Sequence, residues 1–311
     1  FAGIVAPFAL GALIAVTLLK DRTDLFAPGI SLGSQLLYLG AAMCITAFPM
    51  LARIIFERGI ANTRMGTLAL GAGAFDDAVA WSILAVVLAV AKGSPTYWIL
   101  AIGGGLLFAV VVMTLGKRLF RFLGREAEAT GRLSPDAFVW TMLFLLLGAY
   151  VTDAIGIYAV FGAFVIGAAM PRGRFAALVK EKLEAVTVGL LLPFFFVYSG
   201  LNTKLGLISS VELWVIAIVI LVAAIVGKGL ACALAAKASG ENWRDSAAIG
   251  TLMNARGLME LIILNIGLQN KVITPTLYTI MVVMAIVTTL MASPIFARIM
   301  RGRSAADLAA A

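Results

Sequence analysis

Gly71-Ala-Gly-Ala-Phe75-Asp76-Asp77-Ala-Val-Ala-Trp81, continued by an apolar run to Ala91, sets two adjacent carboxylates inside a segment that otherwise carries no charge from Met65 onward. Taken as a helix entering at Met65 and rising 1.5 Å per residue, it carries them about 16–18 Å deep, roughly half of a ~30 Å bilayer core. An ionisable side chain at that depth costs about 2.5–3.5 kcal/mol even on the gentler scales, and by default it marks an ion or proton pathway. The rest of the chain is read by asking what this pair needs around it.

The surroundings fit a membrane. The chain has 311 residues, 62% hydrophobic and 13% charged, with a mean hydropathy of +1.05. No soluble domain of this size needs so much apolar residue, whereas a polytopic helical membrane protein does. There is no histidine, which excludes His-based metal sites, His relays and Ser-His or Cys-His catalysis. Cys44 and Cys232 each lie alone in an apolar span and form neither a CxxC nor an evident disulfide pair, so they do not report a redox compartment. The first residue, Phe1, falls inside an apolar run with no basic n-region before it, which reads as a shortened N-terminus and not as a signal peptide.

Apolar runs of membrane-spanning length fall at 2–19, 36–56, 65–91, 97–116, 137–152, 155–171, 186–200, 211–236, 246–269 and 274–297. Alternate connections hold Arg53, Arg58 and Arg64; Lys117, Arg118, Arg121, Arg125 and Arg132; Arg172, Arg174, Lys180 and Lys182; Lys237 and Arg244; and Arg298, Arg301 and Arg303. The opposite connections hold only Lys20, Arg22, Lys92, Lys204 and Lys271. The positive-inside rule then gives ten spans with the C-terminus in the cytoplasm, and it accounts for the net charge of +8 without any nucleic acid.

Two spans are interrupted. The second breaks at Thr46-Ala-Phe-Pro49, because proline removes a backbone donor and clashes with the preceding turn. The ninth breaks at Asn254-Ala-Arg256-Gly257, with Glu260 one turn on. On the loop-charge topology, spans one to three and eight to ten run in opposite senses, each triplet with its disturbed helix in the middle. That is the arrangement of an inverted repeat with broken helices near the midplane, a pointer to a transporter binding site.

Five charges lie well inside spans: Asp76, Asp77, Lys228, Arg256 and Glu260. Two adjacent acids repel and make a poor fastener between helices. They sit about 100° apart around a helix, so one can face a neighbour and the other a cavity. Their titration is coupled, and burial with mutual repulsion raises at least one pKa towards neutrality, where a carboxylate trades a proton for a cation. Lys228, within Val-Gly-Lys-Gly-Leu, needs a carboxylate or must lose its proton; its ion pair is either structural or broken when cation or proton binds. Arg256 and Glu260, spaced i, i+4, either satisfy each other or neutralise the broken helix ends. Thr46 and Asn254 offer neutral oxygens at the crossing or serve as interhelical glue. Gly103-Gly104-Gly105 reads as packing, and Pro193 as a kink in the seventh span.

Ile45-Thr-Ala-Phe-Pro-Met-Leu-Ala-Arg53, Asn62-Thr-Arg-Met-Gly66, Phe75-Asp-Asp-Ala-Val-Ala-Trp81, Leu192-Pro-Phe-Phe-Phe-Val-Tyr-Ser-Gly-Leu201 and Met253-Asn-Ala-Arg-Gly-Leu-Met-Glu-Leu-Ile-Ile-Leu-Asn-Ile-Gly267 resemble the sodium/hydrogen exchanger domain of the cation:proton antiporter-2 family. The resemblance runs along essentially the whole chain. It implies an all-α polytopic membrane protein with the sodium/proton antiporter fold, in which two inverted triplets with crossed broken helices form a core that moves against a dimerisation domain. On that map residues 1–303 form the exchanger domain, with core triplets at 1–91 and 211–299. Residues 97–200 are intervening helices that include part of the dimerisation domain, and 304–311 are a short cytoplasmic tail. The family usually has two or three more helices at the N-terminal side.

The resemblance places Asp77 at the family's ion-binding aspartate. Asp76 falls at the preceding position, an Asp in electrogenic members and Asn or Gln in many others. Lys228 matches the lysine that pairs with the first aspartate in electrogenic members, and Thr46 falls at the broken-helix crossing. The second span has no acid at its break, unlike some electrogenic relatives, and the sequence holds no nucleotide-binding regulatory domain of the kind found in potassium-efflux relatives. The expected activity is secondary active exchange of Na+, or of K+ or Li+, for protons. It is electrogenic, uses no resident cofactor and is carried by a homodimer in the cell (inner) membrane, with no nucleic acid as partner. Three other readings stand beside it. A Na+-coupled symporter carrying an organic anion would need its substrate for cation flux. An aspartyl intramembrane protease needs two acids converging from different helices, whereas Asp76 and Asp77 are consecutive. A channel would not show saturable exchange.

Overall fold

Hydrocarbon offers no water to bond a peptide group, so a chain this apolar satisfies its backbone within helices. The computed structural model describes residues 1–91, 95–156, 159–171 and 173–302; the side chains at 77, 78, 81, 82 and 84–102 also lie outside the described residues. The helices in order are α1 (Ala2–Thr17), α2 (Leu32–Cys44), α3 (Phe48–Glu57), α4 (Arg64–Ala91), α5 (Pro95–Val111), α6 (Lys117–Leu123), α7 (Arg125–Thr130), α8 (Pro135–Ala154), α9 (Ala159–Ala169), α10 (Arg174–Val186), α11 (Leu192–Asn202), α12 (Val211–Ala224), α13 (Ala231–Ala238), α14 (Trp243–Met253), α15 (Leu258–Gln269) and α16 (Pro275–Ile299). Among the described residues, the pairing of strand type is confined to one antiparallel bridge, Phe26 with Ile273.

Every expected span holds a helix, and the fold is an all-α polytopic membrane protein. Leu32–Glu57, Pro135–Ala154, Arg174–Leu207, Val211–Ala238, Trp243–Gln269 and Pro275–Ile299 are each long and apolar enough to cross a bilayer. The differences from the sequence reading are local. The span expected at 155–171 is the shorter α9, because α8 runs on to Ala154 and the chain turns at Gly156 with φ +87°. The charged connection 117–136 is mostly helical, as α6 and α7, and ends in a left-handed Gly131. The seventh span begins a full helix earlier, at Arg174.

Three single π-turns join consecutive helices: Val112–Gly116 between α5 and α6, Thr187–Leu191 between α10 and α11, and Ile225–Leu230 between α12 and α13. The second lies just before Pro193, whose ring would otherwise meet the carbonyl of Gly189, so the wider turn absorbs the proline. The third carries Lys228.

The chain forms two compact units, one of Phe1–Leu84 with Leu201–Ala311 and one of Ala85–Gly200. Within the first, the two triplets run antiparallel. At one end the loop after α1 meets the loop before α16: Ala27 N donates to Val272 O at 3.2 Å and Thr274 N to Leu25 O at 2.9 Å. Arg22 of the same loop bonds Asp24 at 2.8 Å and also Glu212, in the first turn of α12. At the other end Arg64, opening α4, bonds Glu241, just past α13, at 2.7 Å. There too Arg58 reaches Ser293 at 3.3 Å and Arg244 reaches the Ile299 carbonyl at 2.6 Å. The arginine-rich connections of this unit therefore share one end, as the alternation of loop charge requires.

The broken helices pack closely against their neighbours. Leu51 and Ile55 of α3, Met65 and Ala69 of α4, Leu252 and Met253 of α14, and Ala292 and Phe296 of α16 form one buried cluster. α14 comes close to the π-turn at 225–230 because both surfaces are glycine. A Cβ on Gly250 would stand 2.2 Å from the Gly229 carbonyl oxygen and 2.9 Å from Ala233 Cβ.

Substituting Gly250→Ala should therefore push α14 off the turn that carries Lys228 and cost about 1–3 kcal/mol, as overpacking does. Thermal unfolding in detergent reads this, with Gly71→Ala as control since nothing lies within 4 Å of a Cβ there; equal melting of the two variants would refute the close approach. Arg22, bonded to Asp24 and Glu212, clips the loop after α1 in place. Arg22 beside Asp24 holds its carboxyl below the usual carboxylate range, so the clip contributes at neutral pH and is lost as pH falls through that lowered value. Amide exchange at 25–27 should accelerate only under strong acid, and in Arg22→Gln at any pH; protection independent of both would discount the clip.

Candidate functional site

The two helix breaks are built from their own sequences. In a continuous helix the ring of Pro49 would strike the Ile45 carbonyl, so Ile45 turns extended at φ −72°, ψ 140° and α2 stops at Cys44. Pro49 then sits in the first turn of α3, where a missing N–H costs nothing. In the other triplet α14 stops at Met253 and α15 starts at Leu258. The two extended pieces lie against each other: Ala47 N donates to Ala255 O at 3.1 Å, and Gly257 is close enough that a Cβ on it would stand 3.2 Å from Met50 Cγ.

A helix that ends in a low-dielectric interior leaves carbonyls that need donors. Arg256, fully buried, supplies two: Nη1 donates to Ala42 O at 3.1 Å and Nη2 to Met43 O at 2.7 Å. Lys228, also fully buried, donates to the third, Cys44 O, and to Gly3 O at 3.0 Å. Two cations thus face the negative end of the α2 dipole. Arg256 Nη1 also pairs with Glu260 Oε2 at 2.8 Å, and Glu260 stands in the first turn of α15, at the positive end of that helix. The i, i+4 pairing and the neutralising of helix ends, posed as alternatives by the sequence, occur together.

Asp76 joins the same cluster. Its Oδ2 receives Thr46 Oγ1 at 2.9 Å and Lys228 Nζ at 3.0 Å, and its side chain is 3% exposed. A carboxylate, an ammonium and a hydroxyl therefore meet beside the crossing, held by α4, by the π-turn at 225–230 and by the break after α2. A cavity of about 160 Å³ reaches Asp76, with Leu68, Phe75, Ser239, Met253 and Phe1 among its walls. Leu68 and Ser239 lie towards the arginine-rich end. Asp77 follows Asp76 on α4, about 100° further round the helix, and its side chain lies outside the described residues. Asn254 closes α14 with its Oδ1 buried and unbonded; it brings no oxygen to Asp76.

Some of what holds the site was not foreseen. Thr289 of α16 clamps the second break, accepting from Arg256 N at 3.1 Å and donating to Arg256 O at 2.7 Å. Its signal is the Thr288-Thr289 pair inside an apolar run. Gly3 and Cys44 act through main-chain carbonyls, which no side-chain pattern reveals. Both cysteines are free and buried. Among the described residues, no three His, Cys, Asp or Glu side chains gather into a metal-binding group.

The family model described as "Sodium/hydrogen exchanger, transmembrane" matches residues 1–302. The Na(+)/H(+) antiporter NhaS4 of Synechocystis sp. is 37% identical over 299 residues, covering 94% of this chain and 72% of that protein. Cation/H(+) antiporter 17 of Arabidopsis thaliana is 38% identical over 300 residues, 94% of this chain but 36% of its own length. K(+)/H(+) antiporter 1 of Saccharomyces cerevisiae is 30% identical over 301 residues, 94% of this chain and 34% of its own. The chain thus spans about a third of the plant and yeast relatives. A match along nearly all of its length, on a fold with two crossed broken helices, makes the chain an integral membrane member of the sodium/hydrogen exchanger family.

Proposed function

We propose that the protein is a secondary active antiporter that exchanges a monovalent cation for protons by alternating access, with Asp77 and Asp76 binding cation and protons in turn. The observation that carries this reading is the buried Asp76–Lys228 pair at the crossing. Counting formal charge there, Asp76 cancels Lys228 and Glu260 cancels Arg256. Asp77, one residue further along α4, adds one formal negative charge beyond these two pairs. An uncompensated carboxylate in a low-dielectric interior must take a proton or a cation, and a site obliged to hold one or the other exchanges them.

Asp76 sets the second part of the cycle. Protonating it removes the charge that holds Lys228, and the ammonium keeps the Gly3 and Cys44 carbonyls as partners. The pair is thereby breakable, and a second titrating acid makes the exchange electrogenic, with more protons than cations per turnover. Na+ is the expected cargo, with K+ or Li+ as the substitutes that Thr46 and the carboxylates would also accept. The arginine-rich end and the C-terminus face the cytoplasm of the cell (inner) membrane, and the helices within 97–200 contribute to a homodimer. The two triplets, 1–91 and 211–299, form the moving core.

Asp77→Asn should abolish exchange, by more than about 100-fold, in vesicles monitored by fluorescence quenching with Na+, K+ and Li+ added in turn over about pH 6.5–9, while the protein still purifies folded. Retained exchange would sink the assignment, and cation flux that needs an organic substrate would favour symport. In proteoliposomes an imposed membrane potential should drive exchange by the unaltered protein. Asp76→Asn with Lys228→Gln, which removes one titrating acid and its partner together, should make any remaining exchange insensitive to potential. Insensitivity of the unaltered protein would remove the stoichiometry.

A further inference from the structure

The second unit holds a cavity that the exchange reaction does not use. It measures about 370 Å³ and lies along α5, the π-turn at 112–116, α6, α8 and α9. Phe108, Leu115, Leu119, Phe144, Leu147 and Val151 are among its walls, and every side chain that lines it is apolar. Gly116 and Gly148 supply two stretches of wall with no side chain. From Phe108 to Phe120 the groove follows twelve residues of helix, about 18 Å at 1.5 Å per residue, close to the depth of one leaflet of a ~30 Å core. Its rim is open: Leu115 and Leu147 are 58% and 56% exposed.

One end of the groove is cationic. Lys117 and Arg118 fall among its last wall residues, between Gly116 and Leu119, Arg121 follows Phe120, Arg125 opens α7 just beyond, and all four are exposed. Among the described residues none of the four forms an ion pair. Arg121 Nε reaches only the Lys117 carbonyl, at 3.3 Å, and Arg125 stacks on Phe122 at 5.7 Å. Glu126 and Glu128 stand in the first turn of α7; Glu128 accepts from the Phe175 amide at 3.0 Å, and neither forms an ion pair with any of the four. An apolar channel one leaflet long that ends at unpaired guanidinium and ammonium groups matches one kind of molecule, an amphiphile with a long acyl chain and an anionic phosphate head.

We propose that this groove is a binding site for an anionic phospholipid, with one acyl chain between α5 and α8 and the head group held by Lys117, Arg118 and Arg121. A second copy of the chain fits less well. Two copies inserted in the same sense are related by an axis along the membrane normal, so this face against itself would bring two cationic bands together at the same depth. An anionic lipid relieves that repulsion.

Native mass spectrometry of the protein in neutral detergent, with added phosphatidylglycerol or with phosphatidylcholine of the same acyl chains, tests the site. Phosphatidylglycerol should bind at least tenfold more tightly than phosphatidylcholine. The preference should vanish in the triple variant Lys117→Gln, Arg118→Gln, Arg121→Gln. Gly116→Leu, which fills the groove where a Cβ meets Val112 Cγ1 at an ordinary 3.4 Å, should weaken the lipid at least tenfold with all charges kept. Glycerol phosphate should not compete. Equal binding of both lipids, binding unmoved by either variant, or full competition by glycerol phosphate, the mark of a free-anion site, would each overturn the proposal. So would a lipid-free dimer that Gly116→Leu disrupts, because the groove would then belong to the second copy.

Discussion

Two helices of this protein stop in the middle of an apolar slab, and each stop exposes peptide groups that hydrocarbon cannot bond. The charges of the first unit follow from that. The last carbonyls of α2 take Arg256 and Lys228. Each cation then needs an anion, and Glu260 and Asp76 supply them. Neutralising one helix end thus imports two buried ion pairs, which are costly to desolvate and poor as general stabilisers. They persist because removing any one member would leave a buried charge alone, at about 3–5 kcal/mol. The second break is balanced differently: Glu260 faces the start of α15, and Thr289 holds the main chain of Arg256 from both sides.

The two pairs differ in what they can do. Arg256 and Glu260 lie on the same segment and are both fully buried. The guanidinium also spans two carbonyls, and it stays charged under all ordinary conditions. That pair is a fixture. Asp76 and Lys228 come from different helices, and a cavity reaches the carboxylate. The ammonium has carbonyl partners to fall back on. In the proposed cycle a proton arriving at Asp76 would break one bond of several and leave the crossing folded.

Much of this was legible in the sequence, and the illegible parts share a cause. Hydropathy placed the spans because burying peptide groups demands long apolar runs. Pro49 and the Asn254-Ala-Arg256-Gly257 stretch marked the breaks because each is chemically at odds with a continuous helix. Asp76, Lys228, Arg256 and Glu260 stood out because charge is rare in such segments. Backbone partners did not stand out: every residue has a carbonyl, so Gly3 and Cys44 look like their neighbours. The π-turn that aims Lys228 was equally silent, since one extra residue per turn leaves no mark in composition; only the flanking Gly227 and Gly229 hinted that something packs closely there. Nor did hydropathy separate helix from loop in 117–130, because charged residues at a membrane surface suit either.

The glycine approach and the charge cluster are one device. Lys228 reaches three acceptors at once, Asp76, Gly3 O and Cys44 O, which belong to three different helices or their ends. A side chain carried by an ordinary turn further away could satisfy one or two of these. The π-turn, seated against α14 at Gly250, brings the ammonium near enough for all three. Packing at a position with no polar atom of its own side chain thereby decides how firmly Asp76 is held. In the proposed cycle, then, the site can be adjusted without touching its carboxylates, by moving α14 against the turn that carries the lysine.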